Sequence, residues 1–266
     1  MPPRPALINV MEKACRKAAR GLVRDFGEVE QLQVSKKGPS DFVSAADLKA
    51  EKILKEELEK ARPNFGFLME ESGQTGDAQA AERWIVDPLD GTLNFLHGLP
   101  HFAISVALER HGELVAGMIF QPLTDEVYWA ERGAGAYCND RRLRVSARRH
   151  LGESVFATGI PFQGHGDHHR FMKELYAIMP KVAGIRRFGA ASLDLAYVAA
   201  GRYEGFWESG LQPWDMAAGI VLVKEAGGFI SDYKGRNTML TSGEIVCANE
   251  KMHGTLLKHL AEAHKS

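Results

Sequence analysis

The segment Trp84-Ile85-Val86-Asp87-Pro88-Leu89-Asp90-Gly91-Thr92-Leu93-Asn94-Phe95 limits what this chain can fold into more than any other. Residues 84–86 are β-branched or aromatic, so they read as a buried strand. Pro88 fixes its φ and has no N–H, so the strand is expected to stop before it. That puts Asp87 and Asp90 on a turn at the strand's C-terminal end, where α/β proteins bind ligands. Gly91 lets backbone approach a ligand, and the N–H groups after it suit an anion. Asp-Pro and Asp-Gly are also ordinary turn dipeptides. A threonine hydroxyl beside two acids turns the reading toward a metal and phosphate site.

Leu7, Val10, Met11, Ala14, Cys15, Ala18, Leu22 and Phe26 recur at helical spacing and predict a first amphipathic helix. Gly38-Pro39-Ser40 breaks the chain. Asp41-Phe42-Val43-Ser44 then leads into a second helix carrying Ala50, Ile53, Leu54, Leu58 and Ala61, which stops near Pro63. Strands are expected at 65–69, 84–86, 102–108, 114–120, 125–130 and 143–145, with a hairpin at His111-Gly112-Glu113. The later members of this set read as an antiparallel sheet. From Ser154 the texture changes to alternating elements: strands at 154–158, 185–188 and 203–208, helices at 192–200 and 214–226. Gly227-Gly228 closes the last helix in the C-cap manner. With no repeat, low-complexity tract or long linker, residues 1–266 are expected to form a single domain. Its halves, 1–150 of α+β and 151–266 of α/β texture, should share a core.

The composition narrows function mainly by exclusion. A net charge of −1 provides no global field for nucleic acid or an anionic membrane, and no apolar run reaches spanning length. Met1-Pro2-Pro3-Arg4 leads into an amphipathic pattern, not a signal peptide's apolar core. Cys15, Cys138 and Cys247 are scattered and odd in number, which argues against a disulfide framework and for a reducing cytoplasm.

Further acids stand at the ends of predicted elements. Glu70 and Glu71 follow the strand 65–69, though for Glu71 a surface ion pair is the better reading. Asp215 falls in the first turn of a helix after Gln212-Pro213-Trp214, where capping is an equal alternative; Asp47, just inside the second helix, could likewise be a cap. Glu70, Asp87, Asp90 and Asp215 together form the stronger pattern. Converging carboxylates repel unless cations neutralise them, and oxygen-only ligands favour Mg²⁺ or Mn²⁺ over zinc. Such ions usually work on phosphates.

Asp87-Pro88-Leu89-Asp90-Gly91-Thr92, Glu70-Glu71-Ser72, and Trp214-Asp215 with Glu225-Ala226-Gly227-Gly228 closely resemble the inositol monophosphatase family. The resemblance runs from the first helix through Val246-Cys247-Ala248-Asn249. The stretch 194–202 looks like the bacterial branch often called extragenic suppressor proteins. The resemblance implies an α/β fold, a layered α-β-α-β-α sandwich of the inositol monophosphatase and fructose-1,6-bisphosphatase type. It implies a homodimer, sensitivity to lithium, and hydrolysis of inositol 1-phosphate and related monoesters with two or three Mg²⁺ ions, Mn²⁺ being a substitute. Glu70, Asp87, Asp90, Asp215 and the Leu89 carbonyl match the family's metal ligands. Thr92 and Asp47 match the pair that activates the attacking water, and the Gly91 and Thr92 amides match the phosphate cradle. Glu208 falls where the family contacts ring hydroxyls. Gly189, Ala190 and Ala191 align with a pocket-lining loop that Arg186 reaches in bacterial members; Asp90 and Asp215 belong to the substrate-binding set as well. Met69, Leu93 and Ala190 depart from the commoner family residues, and the last removes one hydrogen bond to substrate.

Other signals are weaker. Gly164-His165-Gly166-Asp167-His168-His169 reads as a solvated loop leading into a helix, placed where it could overhang the pocket. Arg141, Arg142, Arg144, Arg148 and Arg149 read as a solvated strand and turn. The alternative for this basic cluster is a surface for RNA or the transcription machinery, since the bacterial branch is associated with ribosomal RNA synthesis. Phe206, Trp207 and Trp214 are expected to pack in the interior. Rival functions are phosphatases of fructose bisphosphate, histidinol phosphate or phosphoadenosine nucleotides, and a regulatory binding protein in which catalysis is secondary.

Overall fold

The long helix α1 (Ala6–Phe26) buries Ile8, Met11, Ala14, Cys15, Ala18 and Leu22 along one stripe, as its periodicity requires. This computed structural model describes residues 4–28, 34–38, 41–77 and 79–265; Pro39 and Ser40 of the predicted break and residues 1–3 lie outside that set. The hairpin β1 (Val34–Gly38) and β2 (Asp41–Ser44) leads into α2 (Ala45–Ala61). The strands β3 (Gly66–Met69), β4 (Gly73–Thr75) and β5 (Glu82–Asp90) follow, then the one-turn helix α3 (Thr92–Leu96). After it come β6 (Ala103–Arg110), β7 (Glu113–Gln121), β8 (Glu126–Glu131), β9 (Gly135–Cys138) and β10 (Arg141–Arg142). These last eight strands make one sheet in the order β10-β9-β8-β7-β6-β5-β3-β4, antiparallel except where β3 runs parallel to β5.

The second half contributes β11 (Val155–Thr158), α4 (His168–Ile178), β12 (Gly184–Arg186), α5 (Ala191–Ala199), β13 (Gly205–Ser209) and α6 (Pro213–Glu225). It ends with β14 (Phe229–Ser231), α7 (Met239–Ser242), β15 (Glu244–Ala248) and α8 (Glu250–Ala263). A second sheet runs β12-β11-β13-β15-β14. Gly227 takes φ 83° after α6, and the N–H of Gly228 donates to Val223 O at 2.8 Å, ending the helix as expected.

Core membership reveals the layering. Trp84, Val86, Val106 and Met118 of the large sheet pack with α1 and α2. Ile85, Ala103, Ala107 and Ile119, on its other face, pack with Leu195 and Val198 of α5 and with Met216, Ile220 and Val223 of α6. Phe206 and Cys247 of the small sheet join that same core, so both halves of the chain share it. Phe156, Trp207 and Val246 face the opposite way, against Ile178 of α4 and Met252, Leu256 and Leu260 of α8. The result is an α-β-α-β-α sandwich. The middle helices sit very close to their neighbours: a Cβ on Gly117 of β7 would lie 2.6 Å from Ala218 O of α6.

Three sequence expectations need correction. The strand does not stop at Pro88: Asp87 pairs with Ser105 and Asp90 with Ala103, with a β-bulge between them. A bulge leaves a residue unpaired, so a missing N–H costs the ladder nothing there. Residues 143–145 are not a strand; the edge strand is Arg141–Arg142, and Val145 N instead donates to Ala226 O at 3.1 Å. The strand expected at 185–188 ends at Arg186, because the Phe188 carbonyl is taken by Asn94 Nδ2 at 2.7 Å. Phe206 and Trp207 are buried in the core as expected, whereas Trp214 is only half-buried.

Candidate active site

Asp87 and Asp90 are an odd number of positions apart, which in a regular strand would send them to opposite faces. The bulge sets three residue steps on β5 against two on β6, so both acids fall on the face that packs against α5 and α6. Leu89, the residue between them that turns the other way, is buried with α1 and α2. Ser105, paired opposite Asp87, donates its hydroxyl to Trp214 O at 3.1 Å. It thus fixes the start of α6 and brings Asp215 toward the same spot. Glu70 arrives from the end of β3, its N–H bonded to Val86 O at 3.1 Å.

The four acids interact strongly. Asp87 is buried and hydrogen-bonded to the Glu70 carboxyl; burial, then the charges of Glu70, Asp90 and Asp215, push it well above the carboxylate range. Burial and the neighbouring Asp90 raise Asp215 likewise. Asp90 is raised to about 6 by burial, opposed by hydrogen bonds from Ser192 and the first amides of α5. Each of the three aspartates has an anchored oxygen: Asp87 Oδ1 accepts from Leu89 N at 2.8 Å, Asp90 Oδ2 from Ser192 N at 2.8 Å, and Asp215 Oδ2 from Gln212 N at 2.8 Å. Capping and clustering are therefore combined in Asp215, not alternatives. Among the described residues no three His, Cys, Asp or Glu side chains already close round a single point. They form an open cluster of hard oxygen donors with mutual repulsion, and that donor set fits a divalent cation such as Mg²⁺.

Asp47, fully buried in the first turn of α2, also serves twice. Its Oδ2 accepts from Ser44 N at 2.9 Å in a capping box, while Thr92 Oγ1 stands 3.1 Å from its Oδ1. The same hydroxyl is 3.0 Å from the Leu89 carbonyl. Burial raises the Asp47 carboxyl, and the Ser44 and Thr92 bonds oppose the rise. Gly91 precedes Thr92 with φ 93°, and a Cβ there would lie 3.0 Å from His101 O, so the backbone turn into α3 needs glycine.

Beside the acids opens a cleft of about 450 Å³ lined by Glu70, Asp215, Glu208, Trp214, Phe162 and His165, among others. Burial and the nearby Asp90 raise Glu208 to about 8, with Arg187 pulling the other way. Gly189, Ala190 and Ala191 lead into α5; Ala190 is buried at its N-cap and offers no side-chain cap. Arg186 is exposed and its Nη1 turns back to Ile185 O at 3.1 Å; the cation whose charge is felt at Glu208 is Arg187. Sequence reasoning missed Arg187, Ser44, Ser105, Ser192 and the buried Asp194, whose Oδ1 has no hydrogen-bond partner among the described residues. Of these, Arg187 lay beside Arg186, Asp194 opened the stretch 194–202 already singled out, and Ser44 stood three positions before Asp47, the spacing of a capping box. Arg141, Arg142, Arg144, Arg148 and Arg149 are all exposed, Arg148 being paired with Glu204 at 2.9 Å. His168 and His169 open α4 behind its Asp167 N-cap.

Known proteins resemble this chain in sequence and in fold. Residues 5–265 match the model of the inositol monophosphatase family. The chain is 61% identical over 247 residues to an inositol-1-monophosphatase of Rhizobium meliloti, covering 93% of each protein. It is 42% identical to the Nus factor SuhB of Pseudomonas aeruginosa, over 94% of each. The crystal structure of extragenic suppressor protein suhB from Bartonella henselae superposes with a TM-score of 0.94 at 57% identity, covering 96% of this chain and 98% of that one. By sequence and by fold, the chain belongs to the inositol monophosphatase family, a phosphatase family.

Proposed function

We propose that this chain is a Mg²⁺-dependent phosphomonoesterase that hydrolyses inositol 1-phosphate and related sugar or polyol monophosphates. The observation that carries the reading is the convergence of Glu70, Asp87, Asp90 and Asp215 beside the Thr92–Asp47 pair. Those four carboxylates and the Leu89 carbonyl would hold two or three Mg²⁺ ions, with Mn²⁺ as a substitute. The chemistry such ions would supply there is neutralisation of the phosphate dianion, a lowered pKa for a water and stabilisation of the departing alkoxide.

The protein's own groups do the rest. Thr92 Oγ1 donates a hydrogen bond to Asp47 Oδ1 and accepts one from the attacking water through a lone pair, so the water's proton passes to Thr92 as Thr92's own passes to Asp47. Asp47 takes up the proton as the water attacks, a role to which its raised pKa suits it. The Gly91 and Thr92 amides cradle the phosphate. Glu208, Ala190 and Ala191 contact the alcohol, together with Gly189; the exposure of Arg186 makes it the weakest member of the set. We take residues 1–266 to be one domain that works as a homodimer, inhibited by lithium. Three buried free cysteines and the lack of any described helix long and apolar enough to cross a membrane support a cytoplasmic setting.

The test is a substrate panel with Mg²⁺ and with chelator, comparing inositol 1-phosphate with fructose bisphosphate, histidinol phosphate and phosphoadenosine nucleotides. Preference for inositol 1-phosphate and loss of activity in chelator are expected. Full turnover in chelator would sink the metal reading, and preference for another ester would replace the substrate. The SuhB names among its relatives support a second role in transcription, with the exposed Arg141, Arg142 and Arg144 as an RNA-facing surface. Reversing those charges should leave phosphatase turnover alone and weaken binding of single-stranded RNA; unchanged RNA binding would place that surface elsewhere.

A further inference from the structure

The loop between β11 and α4 is a built wall of the cleft. It begins at Gly159, where a Cβ would lie 1.8 Å from Glu208 Oε1, so the loop's first residue abuts the carboxylate directly. It turns back on itself through a 2.9 Å bond from His165 N to Phe162 O, and Asp167 fixes its far end by accepting from Arg170 N at 2.9 Å. Phe162 and His165 stack with ring centroids 4.6 Å apart and planes 32° from parallel. Both line the cleft with Ile160, and Ile160 and Phe162 are each 43% exposed. A large aromatic held in position and left facing a cavity is a contact surface for what enters it. Glu208 supplies the opposite chemistry: among the described residues it has no hydrogen-bond donor, so its oxygens are available to ligand hydroxyls.

We infer that Phe162, backed by His165, is a specificity-determining residue that takes the C–H face of a ring whose hydroxyl edge is read by Glu208. The leaving group selected is therefore a cyclic polyol, with one face apolar and its rim hydroxylated, in preference to an open chain. An aromatic face carries negative potential and attracts the slightly positive C–H bonds of such a ring. An open-chain polyol has no rigid C–H face to offer and loses more entropy on ordering. The inference deepens the proposed phosphatase reading and rests on it.

The experiment compares kcat/KM for inositol 1-phosphate with that for glycerol 2-phosphate in Phe162→Ala, Phe162→Leu and Phe162→Tyr. The ratio should fall roughly tenfold in the Ala and Leu variants, mostly through KM, and hold in the Tyr variant, which keeps the ring. A calorimetric titration of inositol 1-phosphate into Thr92→Ala protein with Mg²⁺ should show the same roughly tenfold weakening when Phe162→Ala is added. A ratio unchanged in all three variants, or equal losses on both esters, would overturn the assignment. Absence of hydrolysis of either ester by the unmodified protein would instead overturn the phosphatase reading, while the titration still reports on Phe162.

Discussion

The amide and the hydroxyl of Ser192 both donate to the same oxygen of Asp90, Oδ2. This pair ties the end of β5 to the first turn of α5, joining the large sheet to the middle helix layer at the acid cluster. It also fixes the orientation of the Asp90 carboxylate. Ser192→Ala should lower stability by roughly 1.5–3 kcal/mol, as for a lost hydrogen bond to a charged group. The half-saturating Mg²⁺ concentration for activity should rise several-fold. Denaturant melts and a Mg²⁺ titration read the two effects; an unchanged Mg²⁺ requirement would show that Asp90 needs no anchoring.

Thr92→Ala and Asp47→Asn should each lower kcat at saturating Mg²⁺ by at least about a hundredfold, the usual contribution of a positioned proton acceptor. Asp47→Asn keeps the shape of the α2 cap but not the proton acceptor, so its Tm should change less than its kcat. Near-normal kcat in both variants would mean that another group orients the water.

Glu208 and Asp215 are seven positions apart and have separable jobs. Asp215→Asn should collapse kcat for every phosphate ester. Glu208→Gln should chiefly raise KM for inositol 1-phosphate, lowering its kcat/KM relative to a simple aryl phosphate. Equal losses on both esters would assign Glu208 to the metals or the fold.

Stability should depend on pH in a direction set by these acids. Asp90 at about 6 and Glu208 at about 8 are raised above their ordinary values of 3.8 and 4.5. Between those limits the folded metal-free protein holds protons that the unfolded chain has lost. Its stability is therefore full below about pH 4 for these groups and declines as pH rises through about 6 and then about 8. Mg²⁺ replaces protons at the acid cluster, so the Tm gained on adding it should grow from pH 5.5 to pH 8.5. Thermal melts with and without Mg²⁺ across that range test the sign. A gain that shrinks with pH would contradict the raised values.

The helices were legible because α1, α2, α5 and α6 repeat apolar residues at helical spacing or end at Pro63 and Gly227-Gly228. The hairpin of β6 and β7 was equally plain. The charged start of β5 was not: Glu82 and Arg83 lie directly opposite Arg110 and Glu109, so ion pairs extend the strand where no apolar alternation marks it. The edge strand Arg141–Arg142 fits the solvated strand read from its arginines, and the error was to extend strand structure to 143–145. In the site, the acids stood out because several carboxylates beside glycine and proline are unusual. The serines that aim them did not, since Ser105 between Ile104 and Val106 resembles any polar residue in a strand until Trp214 is folded against it.

The slip at Pro88 and Leu89 acts as a phase shifter in an alternating lattice. Transplanted into a sheet whose neighbouring strand keeps step, the same hexapeptide would send one carboxylate to each side of the sheet, and neither could reach the other. What makes Asp-Pro-Leu-Asp-Gly-Thr a workable motif is thus partly written outside it, in the two-residue spacing of Ala103 and Ser105 on the adjoining strand. Anyone moving this chemistry to a new scaffold must carry a stretch of β6 along with the acids.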